Sequence, residues 1–227
     1  MVEPTTTDLL LVFAKAPRPG AAKTRLIPAI GEEAAAELYR RLAEEVVRQT
    51  EPRPGDYRRL GFFAPADARS EMEAWFPREE WLAQEGGDLG ARMTAAFDLA
   101  FRRGARRVAI VGTDAPAVTR GTVLEALAGL QDHDLVLGPA ADGGYYLMAL
   151  RRPCPELFRG VAWSTPAVLA STVERAEALG LAVRLLAPLR DIDTLDDIRA
   201  EWGSLRLLLD PSLRERLGRL LGFAISD

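Results

Sequence analysis

At 227 residues with a formal net charge of −4, the chain is short for two ordinary enzyme domains and long enough for one substantial core; its 48% hydrophobic and 27% charged content fits a soluble globular protein. One Cys, no Asn and a single His, His133 between Asp132 and Asp134, argue against disulfide frameworks, Cys/His zinc clusters and His-based catalytic triads. The 27 arginines are scattered rather than gathered into a stripe, so nucleic acid is not an expected partner, and with no apolar stretch near ~18 residues and no leader-like start in MVEPTTTD, a membrane is not expected either and the cytoplasm is the expected compartment.

Asp8 to Phe13 (DLLLVF) is a short apolar run that ends in a Pro/Gly-rich loop, the pattern of a strand buried on both faces. Glu32 to Gln49 carries Ala35, Leu38, Leu42 and Val46 at helical spacing and is stopped by EPRPG. Strands are then expected over Tyr57 to Ala64, Arg107 to Val111, Asp134 to Leu137, Gly144 to Leu150 and Ala182 to Leu186. Helices are expected over Leu89 to Phe101, Thr119 to Leu130, Pro166 to Leu179 and Thr194 to Glu201, with a C-terminal helical segment from about 203 to Leu221. Alternating buried strands and helices predict one α/β domain over 1–227 whose mostly parallel sheet is covered on both faces, with ligands beyond the strand C-terminal ends.

The segments after strands carry the chemistry. The chain has two lysines, Lys15 and Lys23, and both fall in FAKAPRPGAAKTRL, where Arg18 and Arg25 join them within eleven residues. A turn shaped by Pro19 and Gly20, with free backbone N–H groups from Ala14 onward and long cationic side chains, suits phosphate oxygens. Lys23 and Arg25 are the expected catalytic cations, a point charge and a planar fork that neutralise a departing phosphate. Ala22 stands where a Walker loop has glycine, and a single glycine excludes the dinucleotide fingerprint.

GTDAP sets Asp114 past a strand, where a carboxylate can hold a hard cation or simply close a turn. In DIDTLDD, Asp191 and Asp193 face one way in extended backbone and Ile192 the other, while Thr194 and Asp197 resemble a capping box; Asp193 is the expected second metal carboxylate. Asp142, ahead of Gly143 and Gly144, suits either an acceptor-orienting base or a hairpin turn. In QEGGDLGARM the glycines allow a flat base to approach, and Asp88 is a candidate helix cap.

Together FAKAPRPGAAKTRL, GDLGARM, GTDAP, GPAADGGYYLMAL and DIDTLDD resemble, over about residues 8 to 200, the radical-SAM/selenodomain-associated transferase family, glycosyltransferase-like, within the nucleotide-diphospho-sugar transferase superfamily. More distantly the chain is similar to the guanylyltransferases of deazaflavin and molybdenum cofactor synthesis. The resemblance implies a GT-A type fold and a divalent cation, Mg²⁺ or Mn²⁺, on Asp114 and Asp193. It places Lys15, Lys23 and Arg25 at nucleotide phosphates, Gln84, Gly87, Asp88 and Gly90 near the base, and Asp142, Gly143 and Gly144 toward the acceptor. Thr-Asp-Ala offers one carboxylate where many sugar transferases have D-x-D, and the first loop ends in Arg25-Leu26 where nucleotidyltransferases have Arg-Met. The expected partners are a nucleotide sugar or nucleoside triphosphate and a small-molecule acceptor. Glycosyl transfer is the leading expectation, nucleotidyl transfer with release of pyrophosphate the alternative, and a non-catalytic nucleotide-binding protein a third.

Overall fold

The structure, a computed structural model, describes residues 8–223; the reading of Met1 to Thr7 as lacking a leader lies outside them. Seven strands form one sheet in the order β3-β2-β1-β4-β6-β5-β7: β1 (Asp8–Lys15), β2 (Arg58–Ala64), β3 (Trp81–Ala83), β4 (Arg107–Gly112), β5 (Leu135–Pro139), β6 (Tyr145–Leu150) and β7 (Val183–Leu185). The sheet is mostly parallel, and β6 alone runs against its neighbours β4 and β5.

The faces follow from alternation along the strands. Leu10 and Val12 of β1 with Ala109 and Val111 of β4 point to α1 (Ile27–Gln49) and α4 (Arg120–Gly129), meeting Val46, Val123 and Leu127. Leu11, Leu60, Val108 and Ile110 point the other way, onto Met93 and Phe97 of α3 (Leu89–Arg102) and Ala176 of α5 (Val168–Ala178). Burial on both faces is why these strands read as continuous apolar runs.

The expected elements are present, with differences at their ends. α1 starts at Ile27 rather than Glu32; Gly31 has a positive φ of 74° that kinks it, and the apolar periodicity begins after that kink. α2 (Arg69–Trp75) and β3 were not expected from sequence, being seven and three residues long, too short for periodicity to register. β3 docks because Gly61 leaves room for Trp81: a Cβ at Gly61 would lie 2.2 Å from the indole ring. The expected helix over Thr194 to Glu201 is α6 (Leu195–Ala200), and the C-terminal segment after it is two helices, α7 (Trp202–Leu205) and α8 (Pro211–Leu221), the last capped by Asp210, whose carboxylate accepts from Ser212 and Leu213 N–H. Among the described residues no helix is long and apolar enough to cross a membrane.

The topology positions the site. The chain leaves β1 for β2 and β3 on one side, then returns to β4 on β1's other side, so the loops after β1 and β4 diverge and leave a crevice. Because β6 is antiparallel, the hairpin joining it to β5 lies at this same edge, and parallel β7 delivers residues 186–193 there too. Ile192 N–H donates to Asp114 O at 3.0 Å, tying the acidic segment to the loop after β4.

Leu26, at the end of the cationic loop, and Ile192 are both fully buried in one apolar cluster with Leu38 and Leu42 of α1, Ile198 of α6 and Leu213 and Leu217 of α8. The C-terminal helices therefore brace the backbone on either side of the crevice. Replacing Ile192 by Ala should cost about 2–4 kcal/mol by cavity formation; urea unfolding should show a lower midpoint at unchanged slope, and an unchanged midpoint would remove the brace.

Candidate active site

The loop after β1 is held in shape by its own backbone and by one arginine. Ala16 N–H donates to Ala64 O at 2.8 Å, and Leu26 N–H to Lys23 O at 2.9 Å. Lys23 itself is left-handed, with φ 49°, which points its side chain inward. Arg18 does not serve phosphate: its guanidinium is taken by Glu71 at 2.5 Å and Asp67 at 3.1 Å, clamping the loop to the segment around α2.

Lys23 is the centre of the site. Its side chain is 2% exposed, and its ammonium donates to Asp114 Oδ1 and, at 2.9 Å, to Asp193 Oδ1. Burial opposes its charge, but Asp114 and then Asp193 outweigh burial and hold the ammonium well above the usual lysine range. The same pairing acts in reverse on Asp114: burial disfavours its charge, yet Lys23, with a smaller effect from Lys15, keeps it below the usual carboxylate range. Arg25 Nη1 lies 3.7 Å from Asp193 Oδ2 and remains largely exposed.

Two adjoining cavities share Lys15, Tyr39, Asp114 and Ser164. One, of about 290 Å³, is lined by Lys15, Lys23, Thr24, Arg25, Asp114 and Asp193. The other, of about 360 Å³, has apolar walls from Leu89, Met93, Ile110 and Leu147, with Ala14 and Gln84 at its side and Asp191 also lining it. The cations and acids thus meet in a polar pocket beside a cleft suited to a flat ring.

The remaining expected residues divide. Gln84 reaches the apolar cleft, but its amide donates to Phe62 O at 3.1 Å and Ala14 O at 3.3 Å, fastening the loop after β3 to β1 and β2. Pro19 and Gly20 are exposed on the outside of the loop and line neither cavity, because the chain turns Lys23 inward and those two residues outward. Gly87 is open, whereas Gly90 is buried against Trp163, whose ring would lie 2.6 Å from an added Cβ; packing rather than a base accounts for that glycine. Asp88 caps α3, accepting from Ala91 N–H at 2.8 Å. Asp142 accepts from Gly144 N–H at 2.9 Å and so closes the β5–β6 hairpin. At Gly143, with φ 90°, a Cβ would lie 2.1 Å from Pro166 O, so the hairpin packs directly on the loop before α5. Thr194 and Asp197 form the capping box of α6.

Three residues were missed from sequence. Tyr39 Oη accepts from Lys15 N–H at 2.7 Å and lies 2.7 Å from Thr113 Oγ1, joining the cationic loop to the residue before Asp114; in sequence it is only another apolar position on the buried stripe of α1. Ser164, with a positive φ of 63°, stands between the two cavities and has no sequence signal. Asp191 was left unassigned beside Asp193, and here its buried Oδ1 has no hydrogen-bond partner. Burial first, then Asp114, Asp142 and Asp193, push its carboxyl up to about 7 against the lowering effect of Lys23.

Fold and site together define an α/β transferase of the nucleotide-diphospho-sugar transferase type. The chain belongs to the family described as an uncharacterized protein conserved in bacteria (DUF2064), whose pattern matches residues 49–165. It is 30% identical over 180 residues, 78% of this chain and 87% of the relative, to a phosphoenolpyruvate guanylyltransferase of Chloroflexus aggregans strain MD-66 / DSM 9485. A crystal structure from Desulfovibrio desulfuricans G20, provisionally named a nucleotide-diphospho-sugar transferase, is 34% identical with a TM-score of 0.86, covering 96% of this chain and 97% of that one. The 4-diphosphocytidyl-2C-methyl-D-erythritol synthase of Anaerococcus prevotii DSM 20548 shares the fold at 10% identity, with a TM-score of 0.55 over 88% of this chain and 99% of that one.

The raised Asp191 predicts a pH dependence. Its folded value of about 7 lies above the ordinary aspartate range, so the folded protein binds the extra proton, and this group makes stability fall as pH rises from that range to about 7 and stay level above. Asp191→Asn should therefore gain stability over wild type, on the order of 1–3 kcal/mol at pH 8 and less at pH 5. Thermal melts of both proteins at the two pH values check this; a difference that does not grow with pH counts against a strained carboxyl.

Proposed function

We propose that this chain is a nucleotidyltransferase that moves a nucleoside monophosphate from a nucleoside triphosphate to a small acceptor bearing a phosphate, with release of pyrophosphate. The observation that carries this reading is the convergence of Lys15, Lys23 and Arg25 on one pocket with Asp114 and Asp193, beside an apolar-walled cleft. The base lies in that cleft, and the triphosphate lies along the cations. An acceptor phosphate oxygen forms the new bond to the α-phosphorus while the bond from that phosphorus to the β-phosphate's bridging oxygen breaks. Lys23 and Arg25 receive the charge that builds on the departing pyrophosphate. Tyr39 keeps Lys15 and Asp114 in register during this step, through Lys15 N–H and Thr113. The guanylyltransferase relative supports the same class of reaction.

Among the described residues no three acids or other metal-binding side chains gather into a closed metal site. A divalent cation fits as a shared ligand, since Mg²⁺ is commonly held by one or two carboxylates together with substrate phosphates. Asp114 and Asp193 would hold it, and the buried Asp191 Oδ1, which has no hydrogen-bond partner, is a further acidic oxygen in the adjoining cleft. When bound it would polarise phosphate oxygens and offset their charge.

Glycosyl transfer from a nucleotide sugar is the second reading, favoured by the Desulfovibrio relative's provisional name and by Asp191, whose elevated carboxyl at the cleft suits a general base for an acceptor hydroxyl.

The products decide between them. Nucleoside triphosphates with phosphoenolpyruvate or sugar phosphates should release pyrophosphate in a coupled assay, whereas nucleotide sugars that release nucleoside diphosphate would overturn the first reading in favour of the second. Lys23→Ala should lower kcat/KM by about 10²-fold or more, while Arg25→Ala, at a more exposed position, should lower kcat by a smaller factor of about tenfold. Steady-state kinetics of both variants test this, and a Lys23→Ala enzyme as fast as wild type would remove the cation from the reaction.

A further inference from the structure

The two carboxylates suited to a divalent cation already hold a cation of the chain's own. The Lys23 ammonium bonds one oxygen of Asp114 and one of Asp193. Its side chain is 2% exposed, whereas those of Asp114 and Asp193 are 43% and 36% exposed; the lysine approaches from inside the protein and the acids face the pocket. A Mg²⁺ ion held by that same pair of oxygens would sit about 2.0–2.1 Å from each, in or against the space of the ammonium. Two cations cannot share so small a space without strong repulsion.

Nor is Lys23 a loose surface side chain that drifted onto the acids. Its left-handed backbone and the Leu26 N–H bond to its carbonyl direct it inward, and the Arg18 clamp and the buried Leu26 hold the loop on either side. Besides the two acids themselves, the pocket in front of the ammonium is lined by Lys15, Thr24, Arg25 and Ser164, groups that attract an anion.

We propose that Lys23 is an internal stand-in for the divalent cation, closing the position between Asp114 and Asp193 in the free protein and releasing it when the polyphosphate of a nucleotide accepts the ammonium. The inference rests on the nucleotide reading of the site. On this account the free protein has little affinity for a divalent ion, the cation position exists only beside bound phosphates, and the lysine that guards the acids becomes the lysine that grips the phosphates. Charge is compensated at both places: a dication replaces the ammonium at the acids, and the ammonium, moved to the polyphosphate, offsets part of the incoming phosphate charge.

The test uses binding, with MnCl₂ as the probe and electron paramagnetic resonance as the readout, on the full chain. Without nucleotide, Lys23→Met, which keeps the length of the side chain and removes its charge, should bind Mn²⁺ about tenfold tighter than wild type or better. In wild type, a saturating non-hydrolysable GTP analogue should raise Mn²⁺ binding about tenfold beyond what the analogue alone accounts for, and calorimetry should report independently whether the analogue binds. Equal Mn²⁺ affinity in wild type and a folded Lys23→Met overturns the inference. If the variant does not fold by circular dichroism, the wild-type pair decides: analogue bound with Mn²⁺ affinity unchanged overturns the inference, and analogue bound with Mn²⁺ affinity raised supports it. Analogue unbound in wild type overturns the nucleotide reading and the release step with it, while tighter Mn²⁺ in Lys23→Met would still assign the ammonium to the cation position.

Discussion

A buried ammonium shared by two carboxylates from distant parts of the chain organises this molecule. Lys23 lies 91 residues from Asp114 and 170 from Asp193, so the contact closes only when the first loop, the turn after β4 and the segment after β7 have all reached the same edge of the sheet. Removing one partner of a buried ion pair costs about 3–5 kcal/mol because the other charge is left uncompensated. Here the acids are partly open to the pocket, which lowers that cost and leaves them available to a ligand. An arrangement stable enough to persist and open enough to be exchanged suits a group that must change partners in a working cycle.

The surrounding structure keeps that contact in place by means that have no chemistry of their own. Tyr39 joins the first loop to Thr113, Arg18 ties the loop's outer turn to Asp67 and Glu71, and Leu26 and Ile192 sink into the apolar cluster built by α1, α6 and α8. The C-terminal helices thus support the site although none of their side chains lines the polar pocket. Asp191 carries a cost of this arrangement, since burial first and then the nearby acids raise its carboxyl to about 7.

Nucleotidyl and glycosyl transfer make the same demand on such a site, a cationic seat for phosphates and acids that hold a dication, and differ in the bond that breaks: phosphorus to oxygen in the first, sugar carbon to oxygen in the second. The family resemblance put glycosyl transfer first although the cationic loop by itself leaned to nucleotidyl transfer, and the guanylyltransferase relative supports the latter. Fold does not separate the two; the donor and the group it releases do.

The α/β class, most of the strands and helices, and Lys15, Lys23, Arg25, Asp114 and Asp193 as the charged residues that line one pocket were legible in the sequence, because buried strands write continuous apolar runs and charges placed after strands stand out against them. The capping role of Thr194 and Asp197 and the hairpin at Asp142 were legible for the same reason: both are local geometries spelled by adjacent residues. Tertiary structure alone decided that β6 runs antiparallel, that Arg18 faces acids rather than phosphate, that Gly90 serves Trp163, and that Tyr39, Ser164 and Asp191 belong to the site. It also decided that the Lys23 ammonium sits between the two aspartates. Each of these depends on which groups meet across long separations in the chain, and local spacing carries no record of such a meeting.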